Sequence, residues 1–558
     1  MSSPLSNYPE LTQILLKKRG FTTEVEAEMF LNPDYARDVQ DPFGILNMEK
    51  AVLRIMSAID KGERIAVYAD YDCDGIPGAT ILNDFFTRIK YENFEVYIPQ
   101  RNIEGYGLNI KALDLLIGRG AKLVITVDCG ITDIDEAAHL EKLGIDLIVT
   151  DHHLPGDVLP KAYAIINSKQ AADTYHDDML CGAAVAWKLV CALLEKGREK
   201  WSVPVGWEKW SLDMAGISTV ADMVPLKNEN RAIAQYGLMV LRKTPRPGLR
   251  ALFAKMDMVQ KNIVEDDIGF MIGPRINAAS RMGEAMDAFR LLSAQTAEDA
   301  EMYAEKLMHL NDARKGLVAS MIKEAKKHLE VRELDGLLRD VIVVGNPLWK
   351  PGLVGLVASN LVESYSRTAF VWGRTEDGVI KGSCRSDGSV SVVELMTAVP
   401  EGVFDGVGGH EEAGGFSIAS DFIHTLEDEL VKVYQSVRKE KEDAELQIDA
   451  TLSLSEVTWT NWKQIEKFAP FGMANPKPVF LFEKVALRDA RFFGKEKIHL
   501  ELTFENSSVK AIMFFAEDDK YKKLAKGDAV DVVATMELNT FRGSRELRLR
   551  IVNVIKKG

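Results

Sequence analysis

Between residues 64 and 151 the chain repeats one rhythm: a short run of apolar and β-branched residues, a polar break, then a stretch of helical periodicity. The runs are RIAVYA (64–69), FEVYIP (94–99), KLVITVD (122–128) and DLIVTD (146–151). Strand alternating with helix in this way predicts a parallel sheet covered on both faces. In such sheets ligands sit beyond the carboxyl ends of the strands, where loops present side chains without disturbing the core. Three of the four runs end on an acid, at Asp70, Asp128 and Asp151, so one edge of the predicted sheet is strongly negative.

The pattern changes along the rest of the chain. Residues 1–50 read as a helical lead-in broken at NPDY and DPFG. An α/β domain then occupies 51–295; within it DMLCGAAVAWKLVCALLEKGREK (178–200) has the look of a buried helix, and 210–245 is mainly helical. Residues 296–332 form a long connecting helix with a solvated charged face. A second α/β domain spans 333–440, opening on the strand DVIVVGNP, and the charged run RKEKEDAE marks a linker. Residues 446–558 are strand-rich with Gly and Asn turns, in the rhythm of a β-barrel such as the OB-fold.

Composition narrows the class. The 558 residues carry a net charge of −14 and 46% hydrophobic residues, enough for several domains with cores of their own. No run of about 18 apolar residues appears and the first residues lack a basic-then-apolar leader, which predicts a soluble cytoplasmic protein without a membrane partner. Five cysteines without a CxxC fit neither a disulfide framework nor a zinc knuckle. The acidic balance argues against nonspecific coating of nucleic acid, although basic grooves can coexist with it.

The segment YADYDCDG (68–75) places Asp70, Asp72 and Asp74 at alternate positions before Gly75. Packed carboxylates repel one another, and a divalent cation removes the cost of burying them. An isolated DxDG is a common surface turn. Here it is accompanied by Asp128 in VITVDCGI, by Asp151, His152 and His153 in LIVTDHHLP, and by Asp222 in GISTVADMVPL. Carboxylates with one or two imidazoles and no thiolate favour Mn²⁺ or Mg²⁺, and this many acids suits two ions sharing a carboxylate. Such a pair acts on phosphate esters or anhydrides. Cys73 and Cys129 flank proposed ligands, and strand alternation turns them to the opposite side as small core residues.

In order and separation, DYDCDG, VDCG, TDHHLP and TVADMVPL resemble motifs I to IV of the DHH phosphoesterase superfamily. The resemblance implies that Asp72, Asp74, Asp128, His152 and Asp222 hold two metals with Asp128 bridging, that Asp70 and Asp151 assist, and that His153 touches the scissile phosphate. Two departures stand out: Tyr68 occupies a position that is histidine in some branches, and Pro77 follows Gly75 where small hydroxyl residues are expected.

The segments KGSCRSDGS and GVGGHEEAGGFSI resemble the DHHA1 substrate-binding domain, with Gly414 in place of an expected alanine and Lys350 in place of a histidine after the tryptophan. Arg101, Arg275, Asn277, Arg281, Ser383, Arg385 and His410 are the candidate substrate contacts, because guanidinium groups grip phosphate through paired hydrogen bonds. Phe492, Phe493, Lys495, Lys497 and Arg542 are candidates for single-strand binding on the barrel.

The succession of DHH domain, long helix, DHHA1 domain and OB-fold resembles the RecJ family of bacterial exonucleases. That resemblance implies 5′ to 3′ release of mononucleotides from single-stranded DNA in repair and recombination. It also implies a 5′-phosphate pocket at Arg101, Arg281, Ser383 and Arg385, with His410 near the scissile group and a monomer whose cleft threads the strand. Single-strand-binding protein and repair helicases are the further partners it implies. Rival readings are a DHH phosphodiesterase for short oligonucleotides or cyclic dinucleotides, and a catalytically inactive replication scaffold.

Overall fold

The structure is a computed structural model describing residues 5–177, 179–334, 336–375, 377–439, 447–495, 497–516, 519–539 and 545–556. The chain divides into two compact units. One gathers Pro42–Asp222 with Gly237–Asp443; the other gathers Met1–Asp41, Met223–Tyr236 and Ala444–Gly558.

The first unit opens with five strands: β1 (Arg64–Ala69), β2 (Phe94–Tyr97), β3 (Ala121–Val127), β4 (Asp146–Thr150) and β5 (Ala164–Ile166). All pair in parallel in the order β2-β1-β3-β4-β5. Because β2 and β3 flank β1 on opposite sides, the chain reverses its direction of progress between β1 and β3. The crevice at the carboxyl ends of those two strands is the topological switch point where such sheets bind ligands. Strand β5 is not among the runs marked out by the sequence pattern. At three residues it is too short to show periodicity, and it is defined by its parallel register with β4, Val149 opposite Ile165.

The expected buried helix forms over Gly182–Gly197, with Trp187, Leu189 and Leu193 fully enclosed. It packs on the helix Gly75–Arg88, where Gly78 permits the close approach: a Cβ there would stand 2.5 Å from Val127 Cγ1 and 3.1 Å from Ala183 Cα. Pro77 falls in the first turn of Gly75–Arg88, where a missing N–H costs no helical hydrogen bond.

The long helix is continuous over Ala297–Leu334, 38 residues, or about 57 Å. Its early buried positions, Ala300, Ala304 and Leu307, lie in the half that packs on the helices Pro247–Lys255, Gly273–Met282 and Met286–Leu292. Met321, Ala325 and Leu329 share a core with Leu353, Val357 and Leu361 of the helix Pro351–Tyr365. One helix thus carries both α/β parts. The second sheet contains β6 (Val341–Gly345), β7 (Thr368–Arg374), β8 (Ile380–Arg385), β9 (Phe404–Gly409) and β10 (Ala413–Ile418), ordered β6-β7-β8-β10-β9. Only β6–β7 is parallel, so the sheet is mixed. Glycine at 414 has a steric reason: a Cβ there would meet Cys384 Sγ and Met396 Cε at 3.0 Å.

In the second unit, β11 (Ala450–Thr451) leads into a barrel of β12 (Phe480–Phe493), β13 (His499–Phe504), β14 (Lys510–Met513), β15 (Ala529–Asn539) and β16 (Glu546–Lys556). The additional β12–β15 pairing closes it. Its core, with Phe480, Phe482 and Phe504 fully buried, continues into Phe468, Phe30, Leu15 and Leu16, so the helices Glu10–Lys18 and Glu24–Leu31 pack with the barrel. Arg231 ties the three chain segments of this unit together: its guanidinium donates to Phe30 O at 2.7 Å and Ala469 O at 3.0 Å and lies 3.9 Å over the Phe30 ring.

Candidate metal centre

The loops after β1, β3 and β4, with Asp222 at the C-terminus of the helix Leu212–Ala221, bring the predicted acids and imidazoles into one cluster at the switch point. His152 Nε2 lies 3.1 Å from Asp128 Oδ1, 3.5 Å from Asp74 Oδ2 and 3.6 Å from Asp222 Oδ2. Three overlapping sets offer convergent ligand atoms within 4.8 Å of one another: Asp128, His152 and His153; Asp74, His152 and Asp222; Asp70, Asp72 and Asp128. Asp128 and His152 each belong to two sets, and no cysteine belongs to any.

Local backbone explains how the acids are aimed. Asp72 Oδ1 accepts from the N–H groups of Asp74 and Gly75 at 2.8 and 3.2 Å, folding the loop back on itself. The Asp74 carboxylate accepts from Gly182 N at 2.6 Å and Ala183 N at 2.7 Å, so a helix N-terminus supports the negative charge. Gly75 and Gly182 are required by crowding: a Cβ on the first would stand 2.4 Å from Asp70 O, and on the second 2.6 Å from Asp128 Cβ. Asp128 itself has left-handed backbone, φ 62°.

Burial and mutual repulsion favour the protonated form at four of these carboxyls. Burial, reinforced by Asp72, pushes Asp74 up to about 6. Burial, reinforced by Asp74 and Asp72, pushes Asp222 up to about 9. Asp70 and Asp128 are raised well above the usual carboxylate range, again by burial first and neighbouring acids second. Burial and the neighbouring His153 press His152 down to about 3, leaving it a neutral ligand. Asp70 Oδ1 and Asp128 Oδ1 are buried without a hydrogen-bond partner. Orphaned carboxylate oxygens around a neutral imidazole are the donor set that a hard divalent cation satisfies. The residues present therefore fit Mn²⁺ or Mg²⁺. Cys73 and Cys129 are buried, and burial raises both thiols well above their ordinary range.

Asp151 is fully buried and saturated. Oδ1 accepts from His152 N (2.7 Å), His153 N (3.1 Å) and His153 Nδ1 (2.8 Å), and Oδ2 from Ile131 N (3.0 Å). Burial opposes a charge on His153, but the Asp151 bond outweighs it and the imidazole is raised. Tyr106, absent from the motif reading, donates to Asp128 O at 3.2 Å and lies 3.0 Å from His153 Nδ1. Asn277 Oδ1 accepts from Cys73 N at 2.8 Å, bracing the aspartate loop from 204 residues away. Tyr68 is fully buried and donates to Gly107 O at 3.1 Å.

A basic cluster adjoins the centre. Arg101 lies over the Tyr71 ring at 4.9 Å, and its charge, after burial, contributes to lowering Arg281 to about 9. Arg281 donates to Gly352 O at 2.8 Å in the first turn of Pro351–Tyr365. One turn on, a Cβ on Gly355 would lie 3.2 Å from Arg385 Nη2 and 3.4 Å from Ser383 Oγ, so Ser383 and Arg385 flank the same helix. Lys350 is the N-cap of that helix. Arg275 is turned elsewhere, with Nη1 donating to Met271 O at 2.7 Å and Nε 3.0 Å from Met308 Sδ. His410, just after β9, lines a cavity with His152, His153 and Asp222.

On the barrel, Phe492 packs against the core, while Phe493 stands with His499 and Phe514, ring centroids 5.3 and 6.4 Å away. Phe515, 69% exposed, adds a further ring 5.1 Å from His499. Lys495 and Lys497 are exposed between β12 and β13. Arg542 lies outside the described residues. Neighbours on a strand point to opposite faces, which separates Phe492 from Phe493.

Comparison with known proteins agrees with this architecture. The chain matches the DHH family, N-terminal domain, over residues 64–216, the DHHA1 domain over 339–439 and the RecJ OB domain over 448–553. It is 35% identical to the single-stranded-DNA-specific exonuclease RecJ of Bacillus subtilis over 97% of this chain and 67% of that protein. It is 30% identical to the Escherichia coli protein of the same name over 91% of this chain and 90% of that one. The crystal structure of RecJ in complex with Mn²⁺ from Thermus thermophilus superposes with a TM-score of 0.81 at 26% identity, covering 98% of this chain and 76% of that one. The Mg²⁺ complex of the same protein gives 0.75 at 25% identity, covering 99% and 75%. Joined to the ligand cluster at the switch point, these matches over nearly the whole length establish that the chain belongs to the RecJ family of single-stranded-DNA-specific exonucleases.

Proposed function

We propose that this chain is a metal-dependent 5′ to 3′ exonuclease that removes mononucleotides from single-stranded DNA, acting as a cytoplasmic monomer in repair and recombination. Single-strand-binding protein and repair helicases are its proposed further partners. The observation that carries the reading is the convergence of Asp70, Asp72, Asp74, Asp128, His152 and Asp222, with two orphaned carboxylate oxygens, beside a cluster of arginines in the same unit.

Asp72, Asp74, Asp128, His152 and Asp222 would hold two Mn²⁺ or Mg²⁺ ions, with Asp128 shared between them; of the two residues that belong to two ligand sets, Asp128 is the one whose carboxylate offers two oxygens. Asp70, also within a ligand set, completes the negative wall. The ions, when bound, supply Lewis acidity to the phosphoryl group and a lowered pKa for water. Asp151 orients His153 through Nδ1, and the raised imidazole presents a proton to a phosphate oxygen. Tyr106 fixes Asp128 and His153 relative to one another. Arg101, Arg281, Ser383 and Arg385 would hold the terminal 5′-phosphate at the first turn of Pro351–Tyr365, which sets polarity, and His410 would close the site over the scissile group.

Digestion of one labelled single strand, with and without a 5′-phosphate, in Mn²⁺, Mg²⁺ and chelator tests this. Mononucleotides released from the 5′ end only with metal, and slowed at least about 100-fold by Asp128→Ala, is the expected result. Equal rates for wild type and Asp128→Ala would support the inactive scaffold instead.

A further inference from the structure

The cavity beside the metal centre, about 840 Å³, is lined by His152, His153, Asp222 and His410, and also by Lys169. Lys169 follows β5, the strand that the sequence pattern does not reveal, and the family motifs do not include it. Its place is fixed from below. Lys169 N donates to Asn167 Oδ1 at 2.8 Å, and fully buried Asn167 donates from Nδ2 to His153 O at 2.9 Å. Gln170 Nε2 locks the same turn to Ile165 O and Asn167 O, both at 3.0 Å. The turn bearing the ammonium is therefore stapled to the histidine segment.

Two basic groups consequently adjoin the carboxylates. Arg101 lies over the ring of Tyr71, the residue between Asp70 and Asp72, and Arg281 donates to Gly352 O. Lys169 shares its cavity with His152, Asp222 and His410. For a strand whose 5′-phosphate rests against the arginines and whose scissile bond meets the carboxylates, the cavity that Lys169 lines is open to the phosphate that follows. The simpler role for this lysine, screening Asp222, does not require it to line a cavity large enough for a nucleotide.

We propose that Lys169 is a substrate-binding residue that grips the first phosphate on the 3′ side of the scissile bond. This rests on the exonuclease reading and adds the subsite that receives the body of the strand. A lysine serves there as a point charge on a flexible stem, without the fixed geometry that the arginines give the terminal phosphate.

The test is a double cycle on a 5′-phosphorylated decanucleotide. The linkage between its second and third nucleotides is either native or an uncharged methylphosphonate. For wild type, neutralising that linkage is expected to lower kcat/KM about tenfold, the scale of one charge-assisted hydrogen bond. Lys169→Gln is expected to lose the same factor on the native strand, and the two changes together no more than either alone. Lys169→Arg restores most of the loss. The salt dependence of KM on the native strand becomes shallower by about 0.7 in log–log slope, the value for one phosphate contact on a single strand. Losses that multiply to about 100-fold, or a Lys169→Gln variant equal to wild type on the native strand, would overturn the subsite. A wild-type enzyme inert on the native strand would instead refute the exonuclease reading.

Discussion

Burial sets a neutral imidazole, His152, among carboxyls whose protonated forms it favours. Asp222, raised to about 9, and Asp74, raised to about 6, must release protons when metal binds, so Mn²⁺ affinity rises with pH across this range. Stability moves the other way without metal. A carboxyl whose folded pKa exceeds its unfolded one contributes stability at low pH and loses it as pH climbs through the folded value. Between pH 7 and 9 the metal-free protein should therefore melt at progressively lower temperature, and the rise in Tm on adding Mn²⁺ should grow. Calorimetric titration in two buffers of different ionisation enthalpy would read the released protons directly. At this scale the cluster of acids and imidazoles was legible because acids at strand ends are unusual in kind and order. The contact of Tyr106 was not, nor was the bracing role of Asn277, which the sequence offered as a substrate contact, since neither carries such a signal until the chain closes 22 or 204 residues of separation.

Elements convert those residues into a site. The strands β1, β3 and β4 could be read from their apolar runs, and with them the edge that gathers acids. The three-residue β5 could not, and the turn that positions Lys169 was lost with it. The contact of the helix Gly182–Gly197 with the centre was equally hidden, because it depends on the absence of a side chain. Gly182→Ala would place a methyl 2.6 Å from Asp128 Cβ and 2.9 Å from Oδ1. Expected outcomes are a Mn²⁺ affinity weakened at least about tenfold and a stability loss of about 1–3 kcal/mol from overpacking, measured by metal titration and urea unfolding. Glycine at 414 follows the same logic on β10, where the alanine expected from related sequences would crowd Cys384 and Met396.

For the whole molecule, the sequence of domains was readable from composition and rhythm, and the barrel rhythm became a closed barrel. Which segments share a core was not readable, because periodicity reports that a helix has an apolar face and not what covers it. The helices Glu10–Lys18 and Glu24–Leu31 share the core of the barrel, and Arg231 joins them to Ala469 through backbone carbonyls. Arg231→Ala would strip those buried acceptors of their donor and should destabilise this unit by about 3 kcal/mol. Differential scanning calorimetry would show the loss as an earlier transition, with affinity for long strands falling alongside it. The excursion Met223–Tyr236 leaves one unit and returns to it after contributing Leu226 and Arg231 to the other. Anyone wishing to transplant or delete the barrel cannot simply cut after residue 443. The shortened enzyme would keep an ownerless strip, with Leu226 deprived of Gly472 and Met473 and a guanidinium deprived of its carbonyls. Grafting a polar replacement for those fourteen residues is the prerequisite for any modular redesign.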